Sequence, residues 1–278
     1  QRVVPPGMRI PPRGPVFLYV PARHDDGEKS LLGNRGTFNG EDICGILCGN
    51  PQTARYVTHK LWSWFAYPDP DPAMIETLAM KWRSSGMNIK DMVRWIMESP
   101  EFYSDRAERA IIKNPADFVF PIARQLGFGG AAVTRMKDSE ATGQRAAGGA
   151  IAPLIQSTKA MGMELMYPPD VDGWVSGQSW ISTATMVERI KFANAVFPPR
   201  AANQAGPVFA LFSDNPTSRG LVTKLLSLFD AQLPAEKVEQ LVAAADKVCN
   251  GRVDARNAGQ TANAVAKLIF GSPEFQFC

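Results

Sequence analysis

NPQTARYVTHKLWSWF, residues 50–65, opens on Asn-Pro and then sets Ala54, Val57, Leu61, Trp62 and Phe65 at helical spacing. Asn as a cap followed by Pro at the first helical position is a helix start: the Asn side chain accepts from a free backbone N–H, and proline's missing N–H is not needed there. A second stretch, NPTSRGLVTKLLSLF at 215–229, repeats the pattern. With one residue of slippage after Asn-Pro, Thr53, Arg55, Lys60, Leu61, Ser63 and Phe65 align with Thr217, Arg219, Lys224, Leu225, Ser227 and Phe229. Each stretch leads into a second apolar-periodic segment (Met74 to Trp82, Val238 to Val248), a third (Ile89 to Met97, Ala262 to Phe270), and then the tetrapeptide Ser-Pro-Glu-Phe, at 99–102 and 272–275. Three features in the same order predict two copies of a three-helix unit, roughly 50–102 and 215–275. Proline disfavours helix in the residue before it, so Ser-Pro stops the third helix, and the Phe is free to fold back onto the core. SPEF therefore reads as structural.

Working outward, residues 1–40 carry much Pro and Gly with one strand-like run, Val16 to Val20, and read as an extended arm with a short hairpin. Residues 41–278 read as a single helical domain. The fold class expected is all-α, a duplicated three-helix unit packed around a central helical segment. Asn114-Pro115 repeats the capping signal and opens a helix through Phe118, Val119, Ile122 and Leu126 that Gly127 ends. The Gly- and Ala-rich stretch 127–150 has no clean period and reads as a mobile loop, followed by helices at about 151–163 and 182–196 that flank a Pro, Gly and Trp loop.

With 278 residues the chain can bury a substantial core, and its 30 Lys and Arg against 27 Asp and Glu leave a net charge of only +3. The basic residues are scattered singly, which argues against nucleic acid as a partner. No apolar run approaches the ~20 residues of a transmembrane helix. The first 20 residues do not form a signal peptide, so a removed leader or a truncation is left open. Cys44, Cys48, Cys249 and Cys278 allow three full pairings, and a Cys249–Cys278 bridge would close the second copy in an oxidising compartment. Cys44 and Cys48 lie one helical turn apart, too few ligands for zinc by themselves. No Cys-x-x-Cys-His haem motif, phosphate-binding loop, dinucleotide fingerprint or Gly-x-Ser-x-Gly is present.

Positions unique to one copy are better functional candidates than positions found in both. His59, Trp62 and Trp64 stand opposite Thr223, Leu226 and Leu228, so only the first copy carries an imidazole and indoles. Arg55 shares a helix face with His59, but its counterpart Arg219 also suits a structural ion pair. His24 lies beside Asp25 and Asp26 in a turn. That cluster suits a divalent cation, a base with its orienter, or a solvated turn, and His24 and His59 converging with Asp25 or Asp26 would make a two-His, one-carboxylate metal site. In the loop from Tyr167 to Trp180, Asp172, Trp174 and Trp180 could hold a sugar ring and its hydroxyls, or the two Trp could pin the loop to the helices.

His24-Asp25-Asp26-Gly27-x-Lys29-x-x-Leu32-Gly33, then Pro51-x-Thr53-Ala54-Arg55 with Lys60-Leu61-Trp62-x-x-Phe65, Lys113-x-Pro115, Pro168-Pro169-Asp170-Val171-x-Gly173-Trp174, Trp180 and Arg189 together resemble the bacterial domain of unknown function 1800 family. The resemblance implies an exported, mostly helical protein, periplasmic, at the cell envelope or extracellular, and the C-terminal part of a longer member. It also implies a protein partner, often a sulfatase-like or phosphatase-like protein encoded alongside, and it supplies no established catalytic residue or cofactor. The expected function is that of an accessory, binding or scaffold component. The alternative is a hydrolase, metal-dependent or not, acting on an envelope or extracellular polymer, with Asp25 or Asp172 as acid or base and His24 or His59 as its partner.

Overall fold

The structure is a computed structural model that describes residues 19–130, 140–174, 176–198 and 217–278. The protein is mainly helical, and among the described residues its only sheet is a two-stranded hairpin, β1 (Lys29–Leu31) and β2 (Asn34–Gly36). Most of the strand-like run Val16 to Val20 lies outside the described residues. The hairpin turns through Leu32 and Gly33, whose φ of +49° and +82° suit the tight two-residue turn that antiparallel strands require.

The backbone divides into two compact units. The first comprises Gln1–Trp62 and Pro70–Met97; the second comprises Ser63–Asp69 and Glu98–Cys278.

In the first unit the hairpin leads to α1 (Gly40–Gly49), which Asn39 starts by accepting from the N–H groups of Glu41 and Asp42. Helix α2 (Pro51–Phe65) follows and runs on into the second unit, then α3 (Pro72–Ser84) and α4 (Ile89–Glu98). Asn50 accepts from Gln52 N at 2.8 Å, as the Asn-Pro signal predicts. Ala54, Trp62, Ile75, Ala79, Trp82, Met92 and Ile96 are buried, recurring on one face of each helix. Trp82 also donates its indole N–H to the Asn88 carbonyl at 2.8 Å, which fixes the link between α3 and α4.

The second unit contains α5 (Pro115–Gln125), α6 (Glu140–Ala160), α7 (Thr183–Val196), α8 (Ser218–Leu228), α9 (Ala235–Cys249) and α10 (Ala258–Gly271). Asn114 caps α5 by accepting from Ala116 N and Asp117 N. Helix α10 is the hub: it packs against α7, α8 and α9 and contributes Val265, Ala266, Ile269 and Phe270 to the core. Phe118, Phe192, Phe229, Phe270 and Phe275 form a continuous ring cluster, with centroids 5.4–6.4 Å apart for the contacting pairs. Asn263, buried on α10, donates to the carbonyls of Ala193 and Phe197 and so satisfies the end of α7 from a neighbouring helix.

Part of the expected loop at 127–150 is helix instead. Helix α6 begins at Glu140 and continues through Pro153 into the segment that buries Leu154 and Thr158. Alanine has the highest helix propensity and the apolar face downstream anchors the helix, which outweighs the glycines at 143, 148 and 149. The remainder of that stretch, 131–139, lies outside the described residues.

Each predicted copy ends in a short 3-10 turn at Ser-Pro-Glu-Phe, Pro100–Tyr103 in one and Glu274–Gln276 in the other. Arg55 on α2 pairs with Glu76 on α3, and Arg219 on α8 pairs with Glu239 on α9, each through two guanidinium nitrogens. Both carboxyls are held below the usual range by hydrogen bonds from their arginines.

Candidate functional site

His24, Asp25, Asp26, Arg55 and His59 belong to the first unit. His24 ends the short 3-10 turn Pro21–Arg23. Its Nδ1 lies 2.8 Å from Asp26 Oδ1, and its ring tilts against Tyr19. Asp25 turns inward locally: Oδ1 accepts from Gly27 N at 2.8 Å, while Lys29 Nζ donates to the Asp25 and Gly27 carbonyls. The His-Asp-Asp-Gly-x-Lys motif is thus a self-bonded turn that enters the hairpin. His59 is exposed on α2, and the Arg55 guanidinium is engaged by Glu76. Among the described residues no group of three or more His, Cys, Asp or Glu side chains is assembled that could hold a metal ion.

Asp172, Trp174 and Trp180 belong to the second unit. They sit in the segment between α6 and α7, which is a series of turns. Tyr167 N donates to the Glu164 carbonyl, Gly173 N to the Asp170 carbonyl, and Asp172 N to Asp170 Oδ1 at 2.9 Å. Asp172 is exposed and Trp174 half-buried, whereas Trp180 is buried and its carbonyl accepts from Thr185 Oγ1. Trp180 therefore anchors the far end of the loop. The apolar residues at its near end are turned outward: Met166 is 89% and Tyr167 76% exposed, and Val171 is fully exposed. Sequence reasoning singled out the indoles and the aspartates of this loop and missed these three, because an apolar side chain beside Pro-Pro is as often packed as displayed.

The anchored end of the loop meets a bracket built on Arg189, a residue that the sequence motifs contain without revealing its role. Arg189 on α7 is fully buried. It donates to Gln276 Oε1 at 2.8 Å, to the Lys113 carbonyl at 2.7 Å and, weakly, to the Trp180 carbonyl, and its guanidinium lies over the Phe118 ring. No carboxylate pairs with it among the described residues, and burial lowers its pKa to about 10, so it stays charged at neutral pH. Gln276 in turn donates to the Phe270 and Ser272 carbonyls at the end of α10. The backbone of residues 111–113 pairs with that of 276–278, through Ile111 with Cys278 and Lys113 N with the Gln276 carbonyl. One arginine therefore joins α7, the loop, the entry to α5 and the C-terminal Ser-Pro-Glu-Phe turn at 272–275.

Lys113 Nζ donates to the Phe275 carbonyl at 3.0 Å and lies 3.8 Å from the Phe275 ring centroid. Burial, with Arg109 and Arg189 nearby, lowers its pKa to about 8 against the pull of Cys278 and Asp230 in the other direction. In the unfolded chain the ordinary value is 10.5. Between those two values the unfolded chain binds a proton that the folded one has released, so this group makes stability rise with pH from about 8 to about 10.5. The Lys113 contribution, read as the difference between the wild type and Lys113→Met, is expected to raise the denaturant midpoint across that window. Lys113→Met should flatten this component of the profile, and an unchanged profile would contradict the assignment.

All four cysteines are free in the structure, so the Cys249–Cys278 bridge that an oxidising compartment would allow is not formed in it. Cys249 is buried against Ser218 Oγ at 3.3 Å, and the Cys278 thiol faces the Ile111 carbonyl. Burial raises the Cys278 pKa.

The fold is mainly helical with a braced loop, His24 is paired with Asp26 in its turn, His59 is exposed on α2, and among the described residues no His, Cys, Asp and Glu group that could hold a metal ion is assembled. The chain belongs to the family described as Protein of unknown function (DUF1800), which it matches over residues 6–277. No curated protein and no solved structure matches it.

Proposed function

We propose that the chain is an exported binding or scaffold component of the bacterial cell envelope or of an extracellular assembly, holding a second protein against the loop between α6 and α7. The observation that carries this reading is the outward display of Met166, Tyr167 and Val171 on a loop fixed at both ends, by its own turns and by Trp180 with Arg189. Large apolar side chains displayed on a loop already held by its own turns favour protein contact, because ordering entropy has been lost before binding. The partner the family resemblance suggests is a sulfatase-like or phosphatase-like protein. Among the described residues no helix is long and apolar enough to cross a membrane, so no membrane-spanning helix enters this reading. The alternative hydrolase reading has the His24–Asp26 pair at 2.8 Å in its favour, while Asp25 is bonded within its own turn and Asp172 stands on the exposed loop.

We also infer that the two three-helix stretches arose by duplication. The matching Arg55–Glu76 and Arg219–Glu239 pairs and the two SPEF turns support it. Under that reading Arg55 serves the fold, and function belongs to features that one copy has and the other lacks.

The test is a Met166→Ser, Tyr167→Ser, Val171→Ser triple variant, purified natively from the source organism alongside the wild type. Exposed substitutions should leave stability within about 0.5 kcal/mol. The wild type is expected to carry a stoichiometric protein through a moderate salt wash, and the variant to lose about nine-tenths of it, as truncation of a central contact does. Equal retention by both, or a wild type that purifies alone, would overturn the proposal. Export is tested by cell fractionation, where finding the native protein in the cytoplasm would contradict it.

A further inference from the structure

The segment that closes the first copy shapes a second surface, in the second unit and separate from the loop. Phe65, Phe102, Tyr103, Asp105 and Glu108 line an open groove of about 360 Å³. The same tetrapeptide behaves differently in the two copies. In the second, Phe275 is 3% exposed within the ring cluster, and Gln276, which follows it, is buried by its hydrogen bonds to the end of α10. In the first, Phe102 is only half-buried, and Tyr103, which stands where Gln276 stands, is 74% exposed. The fold does not require an aromatic there, since the other copy uses an amide.

The rings of Phe102 and Tyr103 meet edge to face, with centroids 5.1 Å apart and planes at 82°, and so form two walls of a corner. Asp105 and Glu108 make no ion pair among the described residues. The basic side chains nearest in sequence are engaged elsewhere: Arg106 lies over the Tyr67 ring and donates to the Asp69 carbonyl, and Arg109 donates to Asp230. The groove therefore combines aromatic faces, whose quadrupoles attract cations, with two uncompensated carboxylates. A planar guanidinium suits both features, since it can stack on a ring while its N–H edge forks a carboxylate, which an ammonium does less well. An open groove admits such a side chain from a chain that runs across the surface.

We propose that this groove takes an arginine side chain from an extended segment of a partner protein. The proposal does not depend on the loop between α6 and α7, and a loop variant should leave it intact. The probe is the pentapeptide Gly-Ser-Arg-Ser-Gly, followed by saturation-transfer NMR against the full chain, with the citrulline peptide as a neutral isostere. Saturation of the arginine methylenes is expected, with little for citrulline. Tyr103→Ala should weaken binding by about two- to fivefold, the range of an exposed cation–π contact. Asp105→Asn with Glu108→Gln should weaken it at least as much. Both variants change exposed side chains and should keep wild-type circular dichroism. Absence of binding, equal binding of the citrulline peptide, or indifference to Tyr103→Ala would overturn the proposal. N-acetyl-arginine amide binding as tightly as the peptide would replace the partner segment with a small organic cation, and so would overturn it too.

Discussion

Arg189→Ala is expected to destabilise the second unit by about 3–5 kcal/mol, combining the cost of a large-to-small void in the core with that of buried acceptors left without a donor. Truncation opens a void beside Phe118 and leaves Gln276 Oε1 and the Lys113 carbonyl without the donor they face. It also releases the Trp180 carbonyl at the anchored end of the loop. Arg189→Met is the informative companion. It fills most of the volume and removes a charge that burial already penalises, so its cost should be clearly smaller. Urea unfolding followed by far-ultraviolet circular dichroism gives both values. If Arg189→Ala costs less than about 1 kcal/mol, the surface range, the bracket does not hold these elements together.

Phe275→Ala is expected to cost about 3–5 kcal/mol, whereas Phe102→Ala should cost less than about 2 kcal/mol. Phe275 contacts Phe118, Phe229 and Phe270 at centroid distances of 5.7, 6.4 and 5.5 Å and is sealed from solvent. Phe102 borders an open groove and already meets water on one side. The two substitutions alter the same residue in the same tetrapeptide, so the sequence motif alone predicts equal costs. Equal costs would mean that Phe102 is a core residue like its counterpart, and the groove would lose its rationale as a binding surface.

The helices were legible because their signals are local. Asn50-Pro51 and Asn114-Pro115 cap helices where the residue types require it, and the apolar spacing behind them marks the buried faces of α2 and α5. The failure at 140–150 has the same origin: glycine lowers local propensity, but the decision was made by residues downstream, in the packing of Leu154 and Thr158. The pairing of Arg55 with Glu76 was half legible, since the counterpart Arg219 argued for an ion pair and nothing in the sequence named the acid. Arg189 stood in a motif, yet its partners lie 76 and 87 residues away, and no spacing rule reaches so far. The outward Met166, Tyr167 and Val171 were illegible for a related reason, because exposure is a property of the finished surface.

Two variants purified side by side from the native source test the binding reading most directly. One carries the Met166, Tyr167 and Val171 serine substitutions, and the other carries His24→Ala, Asp25→Asn, His59→Ala and Asp172→Asn. A scaffold acting through its loop predicts that the first loses the stoichiometric partner and that the second keeps it. Retention by the loop variant, together with loss in the His and Asp variant, would contradict the reading and return those four residues to the centre of the chemistry.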